Sequence, residues 1–470
     1  MQDDNNRHLI RGLGLLAAIS VNVANMIGTG VFIKARVMTC NVGSPGIVIS
    51  VWVVAGLLAL AGALTYSELT AMMPHAASEF VIMREGYGKV WGFLYGWTQL
   101  LISRTASEAA LAVGFAIFMN DLTGHSLDHN YFTVHLPFGI DVPFGNIKLV
   151  ALGAIFITTA INCAAVKASG RFTSFLTILK VGLLVFIGAG TFAYTYGHWS
   201  NFSLVNVGGT CEGVTVTGGG LAGFGAAMLG ALWAYDGWNN LSYVAGEVKN
   251  PERNLPLSFV GAMVIVIALY IFVNLGYFRI LTPTAIASVN QTSSVAALAV
   301  SKFLGSAAVS FIAVALMISS FGALHASILG TSRLPYAMAR DGLFLESISK
   351  LSRSHVPIRA LLVTGIWSSV LALSGSYDTL TDYAIFAFWV FYGLITASVF
   401  VFRSRNPETP RPYRTWGYPV VPAVFVLVTI ALLVNTVITE RKQSLIGIAI
   451  ALLGLPVYWL LQRQKSSDKI

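Results

Sequence analysis

The first long apolar run of the chain, Gly14 to Phe32, contains a break that an uninterrupted membrane helix would not carry: Val23-Ala24-Asn25-Met26-Ile27-Gly28-Thr29-Gly30-Val31-Phe32. Two glycines flank a hydroxyl near the middle of the run. Each weakens a helix by about 1 kcal/mol relative to Ala. Hydrocarbon offers no water to the freed backbone groups, so the break must be buried in protein or line a cavity. A broken helix exposes two ends. The first half ends in free carbonyls, which attract a cation. The second half begins with free N–H groups at Thr29, Gly30 and Val31, which attract an anion. A zwitterion with ammonium and carboxylate on one carbon matches such ends. Gly28 and Gly30 also suit close helix packing, and this stretch alone does not separate the two uses.

The chain has 470 residues, 56% hydrophobic and only 10% charged. Soluble domains carry about 25% charged residues, so this is a polytopic membrane protein. No cleavable signal peptide is evident, because the first apolar run lacks an A-x-A-like site. The cysteines, Cys40, Cys163 and Cys211, are too few for a disulfide framework or a thiolate metal cluster. No metal or cofactor is expected. Apolar runs of roughly 17–25 residues each suffice to span the bilayer. They read as Gly14–Phe32, Pro45–Met73, Val90–Met119, Ile147–Ala165, Phe172–Tyr194 and Gly223–Gly246, then Leu257–Phe278, Ala307–Leu329, Ile358–Leu373, Tyr383–Phe402, Pro419–Ile438 and Leu445–Leu461.

The net charge of +9 raises the question of nucleic acid, and its distribution answers it. With the N-terminus inside, the inner segments collect Arg7, Arg11, Arg84, Lys89, Lys167, Arg171, Lys249, Arg253, Arg333, Arg340, Lys350, Arg353, Arg359, Arg403, Arg405, Arg411, Arg414, Arg463, Lys465 and Lys469. The outer segments hold fewer: Lys34, Arg36, Lys148, Arg279, Lys302, Arg441 and Lys442. This asymmetry sets topology and predicts both termini in the cytoplasm, in the plasma (inner) membrane. No nucleic acid is expected, and contact with membrane lipid headgroups is generic.

The sixth run is also compromised in its middle: Trp233-Ala234-Tyr235-Asp236-Gly237-Trp238-Asn239-Asn240. A carboxylate and two amides at membrane depth are expensive unless they face a cavity or a partner. The first and sixth runs start on opposite sides. Two broken helices at matching places in oppositely oriented halves point to an inverted-repeat transporter.

These residues carry a resemblance. Ile27-Gly28-Thr29-Gly30-Val31-Phe32 resembles the G-[ST]-G-[IV]-F signature of the amino acid–polyamine–organocation (APC) superfamily. Trp91-Gly92-Phe93-Leu94-Tyr95-Gly96-Trp97 looks like the start of its third helix, and Ala234 to Asn239 with Glu247 to Pro256 like its sixth helix and following loop. Phe321-Gly322-Ala323-Leu324, Arg333 and Ala339-Arg340-Asp341-Gly342 are similar to its eighth helix. Arg411-Pro412-Tyr413-Arg414-Thr415-Trp416-Gly417-Tyr418-Pro419 is similar to the link before helix eleven in the L-type amino acid transporter branch. The resemblance implies an all-α polytopic fold of LeuT type: a 5+5 inverted repeat plus two C-terminal helices, about 12 in all. The halves would span 12–197 and 218–403, followed by 416–463, in one integral membrane transport domain.

It further implies a secondary transporter of L-amino acids working by alternating access, not an enzyme. Thr29 and Gly30 would hold the substrate carboxylate, with Ile27 and Gly28 completing the break. Carbonyls near Met26, Trp233, Ala234 and Asp236 would hold the ammonium. Trp233 would be the aromatic outer gate and Asn239 a polar pocket contact. Eukaryotic light chains of this branch carry a cysteine between helices three and four, for a glycoprotein partner. Asp121 to Asn146 contains none, which implies no heavy-chain glycoprotein.

Lys180 lies mid-span, and a lysine near the bilayer centre needs partners. The resemblance puts it where sodium-coupled relatives bind a second sodium ion, bridging carbonyls near Ala24 to Ser319 or Ser320. Arg104 and Glu108, at i and i+4, are expected to neutralise one another. His325 is a candidate proton or selectivity site, and equally a neutral histidine bonded to a neighbour. Glu247 and Arg333 are a minor candidate for an inner ion pair. Cys40 and Cys211 fall in outer loops flanking the broken helices; a bridge between them and two unpaired thiols are both compatible with the sequence.

Small or medium neutral amino acids are the expected substrates, by sodium-independent exchange or proton-coupled uptake. Cationic amino acids or polyamines are the alternative. A non-transporting sensor would keep the breaks and add a signalling domain, but only Gln462 to Ile470 follow the last expected span. Neither a hydrolase motif nor a phosphate loop is present.

Overall fold

The computed structural model describes residues 13–73, 78–136, 140–164, 170–352, 356–439 and 441–467. It is an all-α polytopic membrane protein. The first apolar run divides into α1 (Leu15–Met26), α2 (Gly30–Ile33) and α3 (Ala35–Val42). Lys34, between α2 and α3, is itself right-handed helical, so the two run on as one arm. Next come α4 (Pro45–Met72), α5 (Ser78–Tyr87), α6 (Lys89–Thr98) and α7 (Arg104–Leu122), the last two joined by a π turn at Gln99–Ser103. Strands β1 (Asn130–Leu136) and β2 (Ile140–Gly145) pair antiparallel in a hairpin. Then follow α8 (Asn146–Ala164), α9 (Gly170–Ala193) and α10 (Gly220–Tyr235). After a 3₁₀ helix at Asn240–Glu247 come α11 (Pro251–Ile280), α12 (Pro283–Ala287), α13 (Val295–Leu304) and α14 (Ser306–Arg340). The chain finishes with α15 (Ile358–Ser374), α16 (Tyr377–Arg405), α17 (Val420–Thr439) and α18 (Arg441–Ser467).

Among the described residues, 8 helices are long and apolar enough to cross a membrane. The most apolar stretch of Lys89–Leu122 is 89% buried, against 22% for Ser444–Arg463, so the first lies at the centre and the second at the periphery. The buried face of α7 explains its place: Ala106, Ala109, Ala110, Ala112 and Ala116 let neighbours approach closely. Prolines at the first turns of α4 and α11 start both helices where a missing N–H does no harm.

Several elements differ from the sequence reading. The sixth run does not continue to Gly246 as a span; it stops at Tyr235 and resumes as the 3₁₀ helix. The eighth run extends to Arg340. The hairpin and the short helices α5, α12 and α13 lie in stretches expected to be loops. Lys34, Arg36 and Lys148, read as outer loop charges, are buried. Lys148 bonds the carbonyls of Ala372 (2.6 Å) and Gly375, which closes the end of α15.

Candidate functional site

The two breaks press against each other. At the first, α1 ends with the N–H of Gly28 bonded to the Met26 carbonyl at 2.8 Å. The arm resumes at Gly30 without any side-chain cap at Thr29. Its first N–H groups therefore have no intrahelical partner. At the second, Asp236 is extended and Gly237 has φ +97°, a left-handed value that favours glycine. A Cβ on Gly237 would lie 2.8 Å from the Asn25 carbonyl oxygen, and one on Gly30 would lie 2.6 Å from Ala234 Cα. Tyr270 of α11 secures the junction: its hydroxyl lies 2.8 Å from the Met26 carbonyl and 2.9 Å from that of Ala234.

Between the breaks lies a cavity of about 40 Å³. The breaks contribute Asn25, Met26, Gly28, Thr29, Gly30, Trp233, Asp236, Gly237 and Asn240 to its wall. Helix α7 adds Arg104, Ser107 and Leu111, and α14 adds Ala323 and Ser327. Arg104 donates to the Tyr243 hydroxyl at 2.9 Å and sits over the rings of Tyr243 and Phe388. The Asp236 carboxylate accepts from Tyr392 at 2.8 Å.

Buried contacts lie on both sides of this space. On the α5 side, the Glu79 carboxylate accepts from Asn239, from the hydroxyls of Tyr95 and Tyr243, and more distantly from Ser242. On the α3 side, the Tyr377 hydroxyl joins the Thr29 hydroxyl (2.7 Å) and the Trp233 indole N–H (2.8 Å). Beyond it, Asp378 pairs with Lys34 at 2.8 Å and Arg36 at 2.5 Å. Arg36 also donates to the Glu212 carbonyl at 2.6 Å, beside a disulfide joining Cys40 to Cys211 with Cα atoms 5.7 Å apart.

A multi-pass helical fold around two broken helices narrows the comparison with known proteins. The family described as amino acid permease matches residues 13–460. The chain belongs to the amino acid permease family. This permease is thus a membrane transporter of amino acids and not an enzyme. It is 30% identical to the serine/threonine exchanger SteT of Bacillus subtilis (strain 168), over 98% of each chain. It is 28% identical to the human b(0,+)-type amino acid transporter 1, covering 99% of this chain and 90% of the relative. It is also 28% identical to the human cystine/glutamate transporter, over 96% and 85%.

Within the permease, Met26, Gly28, Thr29, Gly30, Trp233 and Asp236 meet at the cavity. Ile27 is buried in the core, and Ala234 lies under Gly30. Asn239 does not reach the wall; its amide is held by Glu79, and Asn240 takes that place. Lys180 donates to the Ala24 carbonyl at 2.9 Å. Ser320 bonds the Leu111 carbonyl instead, and the Ser319 hydroxyl has no partner among the described residues. His325 lines a separate apolar crevice of about 380 Å³ with Phe115 and Phe321. Arg104 turns to Tyr243, while Glu108 accepts from Ser368 at 2.6 Å, so their mutual pairing is replaced by separate partners. Arg333 is exposed, and the Glu247 side chain lies outside the described ones.

Glu79, Tyr243, Tyr377, Tyr392 and the Lys34–Asp378 pair are missing from the sequence reading. Lys34 and Asp378 carry one usable signal, opposite charges just beyond the first and tenth runs.

Proposed function

We propose that the permease carries small or medium neutral L-amino acids by alternating access, opening the α3 side and the α5 side of the cavity in turn. The reading rests on one observation: two helix breaks face one small cavity with mostly small, polar walls. The substrate carboxylate sits at Thr29 and Gly30, where N–H groups begin an uncapped helical arm. The ammonium sits at the carbonyls ending α1 and at the Trp233–Asp236 turn. Ser107, Asn240 and Ser327 leave room and hydrogen bonds for a short side chain, as in the substrates named for the serine/threonine exchanger. Arg104 at the wall disfavours cationic side chains and polyamines.

Lys180 supplies a fixed ammonium to the Ala24 carbonyl of α1, which supports sodium-independent exchange or proton-coupled uptake. Residues 12–197 and 218–403 form the inverted halves, and 416–463 the final pair. The Lys and Arg distribution supports cytoplasmic termini in the plasma (inner) membrane. The Cys40–Cys211 bridge lies on the opposite face in that orientation, where disulfides persist. A linker without cysteine between α7 and α8 supports function without a heavy chain.

Counterflow in proteoliposomes tests this, using a panel of amino acids with and without a pH gradient. Exchange of serine, threonine and alanine is expected. Uptake confined to arginine, lysine or polyamines would overturn the substrate class.

A further inference from the structure

The Tyr377 hydroxyl joins two groups that line the cavity. It accepts the Trp233 indole N–H, a group that only donates, at 2.8 Å. It meets the Thr29 hydroxyl at 2.7 Å. Both partners line the cavity between the breaks, and Tyr377 itself is buried. A side chain that merely blocked the path would need only the ring. Burying a phenol oxygen is costly unless it is hydrogen-bonded.

The residues around Tyr377 fix its place. Tyr377 is the first residue of α16, whose Ser376 cap accepts from Thr379 N–H at 3.3 Å. The next residue, Asp378, is bound by Lys34 and Arg36, and Lys34 also donates to Thr381 at 2.6 Å. Lys34 and Arg36 belong to the arm that begins at Gly30. The ion cluster therefore fixes Tyr377 to the same rigid unit as Thr29. Gly114 of α7 makes room, since a Cβ there would lie 2.6 Å from Thr29 Cγ2.

We propose that Tyr377 is a substrate-contacting residue whose hydroxyl donates to the carboxylate of the bound amino acid. On binding, the phenol O–H points to the carboxylate as a hydrogen-bond donor and keeps its proton, and the Thr29 hydroxyl donates to the phenol oxygen or to the carboxylate. Trp233 N–H, Tyr377 O–H and the carboxylate then form one directed chain. This rests on the reading that the carboxylate sits at Thr29 and Gly30.

The test is Tyr377→Phe in proteoliposomes, with L-serine as probe. Its apparent KM is expected to rise about tenfold, a hydrogen bond to a charged group, while the maximal rate and the thermal midpoint stay near wild type. Trp233→Phe keeps Tyr377 and removes the indole N–H together with one ring from the cavity wall; it should raise KM at least about two- to threefold. An unchanged KM in a folded Tyr377→Phe overturns the proposal, as does an equal loss in KM and rate. If Tyr377→Phe fails to fold, an unchanged KM in Trp233→Phe overturns it. Wild-type vesicles that exchange no amino acid would overturn both this proposal and the underlying reading.

Discussion

Gly30 and Ala234 are in backbone contact: a Cβ on Gly30 would fall 2.6 Å from Ala234 Cα and 2.7 Å from its Cβ. The neighbour is main chain and cannot swing aside. Gly30→Ala is therefore expected to lower the thermal midpoint and cut uptake more than about tenfold, since overpacking costs roughly 1–3 kcal/mol or more. Gly153→Ala in α8, where no atom lies within 4 Å of the new methyl, is the control and should match wild type. Equal melting and uptake in the two variants would refute the contact.

Lys180→Ala should still fold and transport slowly. Its ammonium bonds the Ala24 carbonyl at 2.9 Å, one turn before α1 breaks. Removing it leaves that carbonyl unpaired and a void where the buried side chain lay, so a lower thermal midpoint is expected beside the loss of transport. Uptake and thermal midpoint are compared side by side, and normal uptake would dismiss a role for Lys180 in transport.

Asp378→Asn leaves Lys34 and Arg36 buried without their carboxylate. Breaking a buried pair costs about 3–5 kcal/mol, so a large fall in thermal midpoint is expected. Asp382, 3.9 Å from Lys34, should matter less when changed to Asn. Equal effects from both would show that the cluster is not centred on Asp378.

A site built on two opposed helix ends requires both charged groups of the substrate. Ethanolamine, the decarboxylated form of serine, and the deaminated acid should each compete poorly with L-serine. Inhibition by either at serine's own potency would remove the zwitterion reading.

Alkylation without reductant should label Cys163 and leave Cys40 and Cys211 unmodified, because those two are joined. Mass spectrometry of the intact and reduced protein reads this directly. Free thiols at 40 and 211 in unreduced protein would rule the bridge out.

The breaks are legible in sequence because lipid forbids them anywhere but in a protein-lined space. That physical constraint is strong enough to mark Gly28–Gly30 and Asp236–Asn240 without any coordinates. Lys180 is legible for the same reason. Tyr377 is not, since an aromatic at the start of an apolar run looks like any interfacial anchor. Lys34 and Arg36 read as loop cations because long cationic side chains near span ends ordinarily reach water. Their partner lies 344 residues beyond Lys34. Glu79 resembles a solvated charge in a polar connection, and its donors arrive from α6 and from the segment after α10. Asn239 and Asn240 differ only in which way the unwound chain turns, and spacing does not encode that.

The Tyr270 hydroxyl owns one proton and stands within reach of two carbonyls, those of Met26 and Ala234. A single proton can serve both acceptors only while they stay at fixed separation. The consequence is kinematic. The broken ends of α1 and α10 are tied through one side chain, and any slip between them costs one of its two contacts.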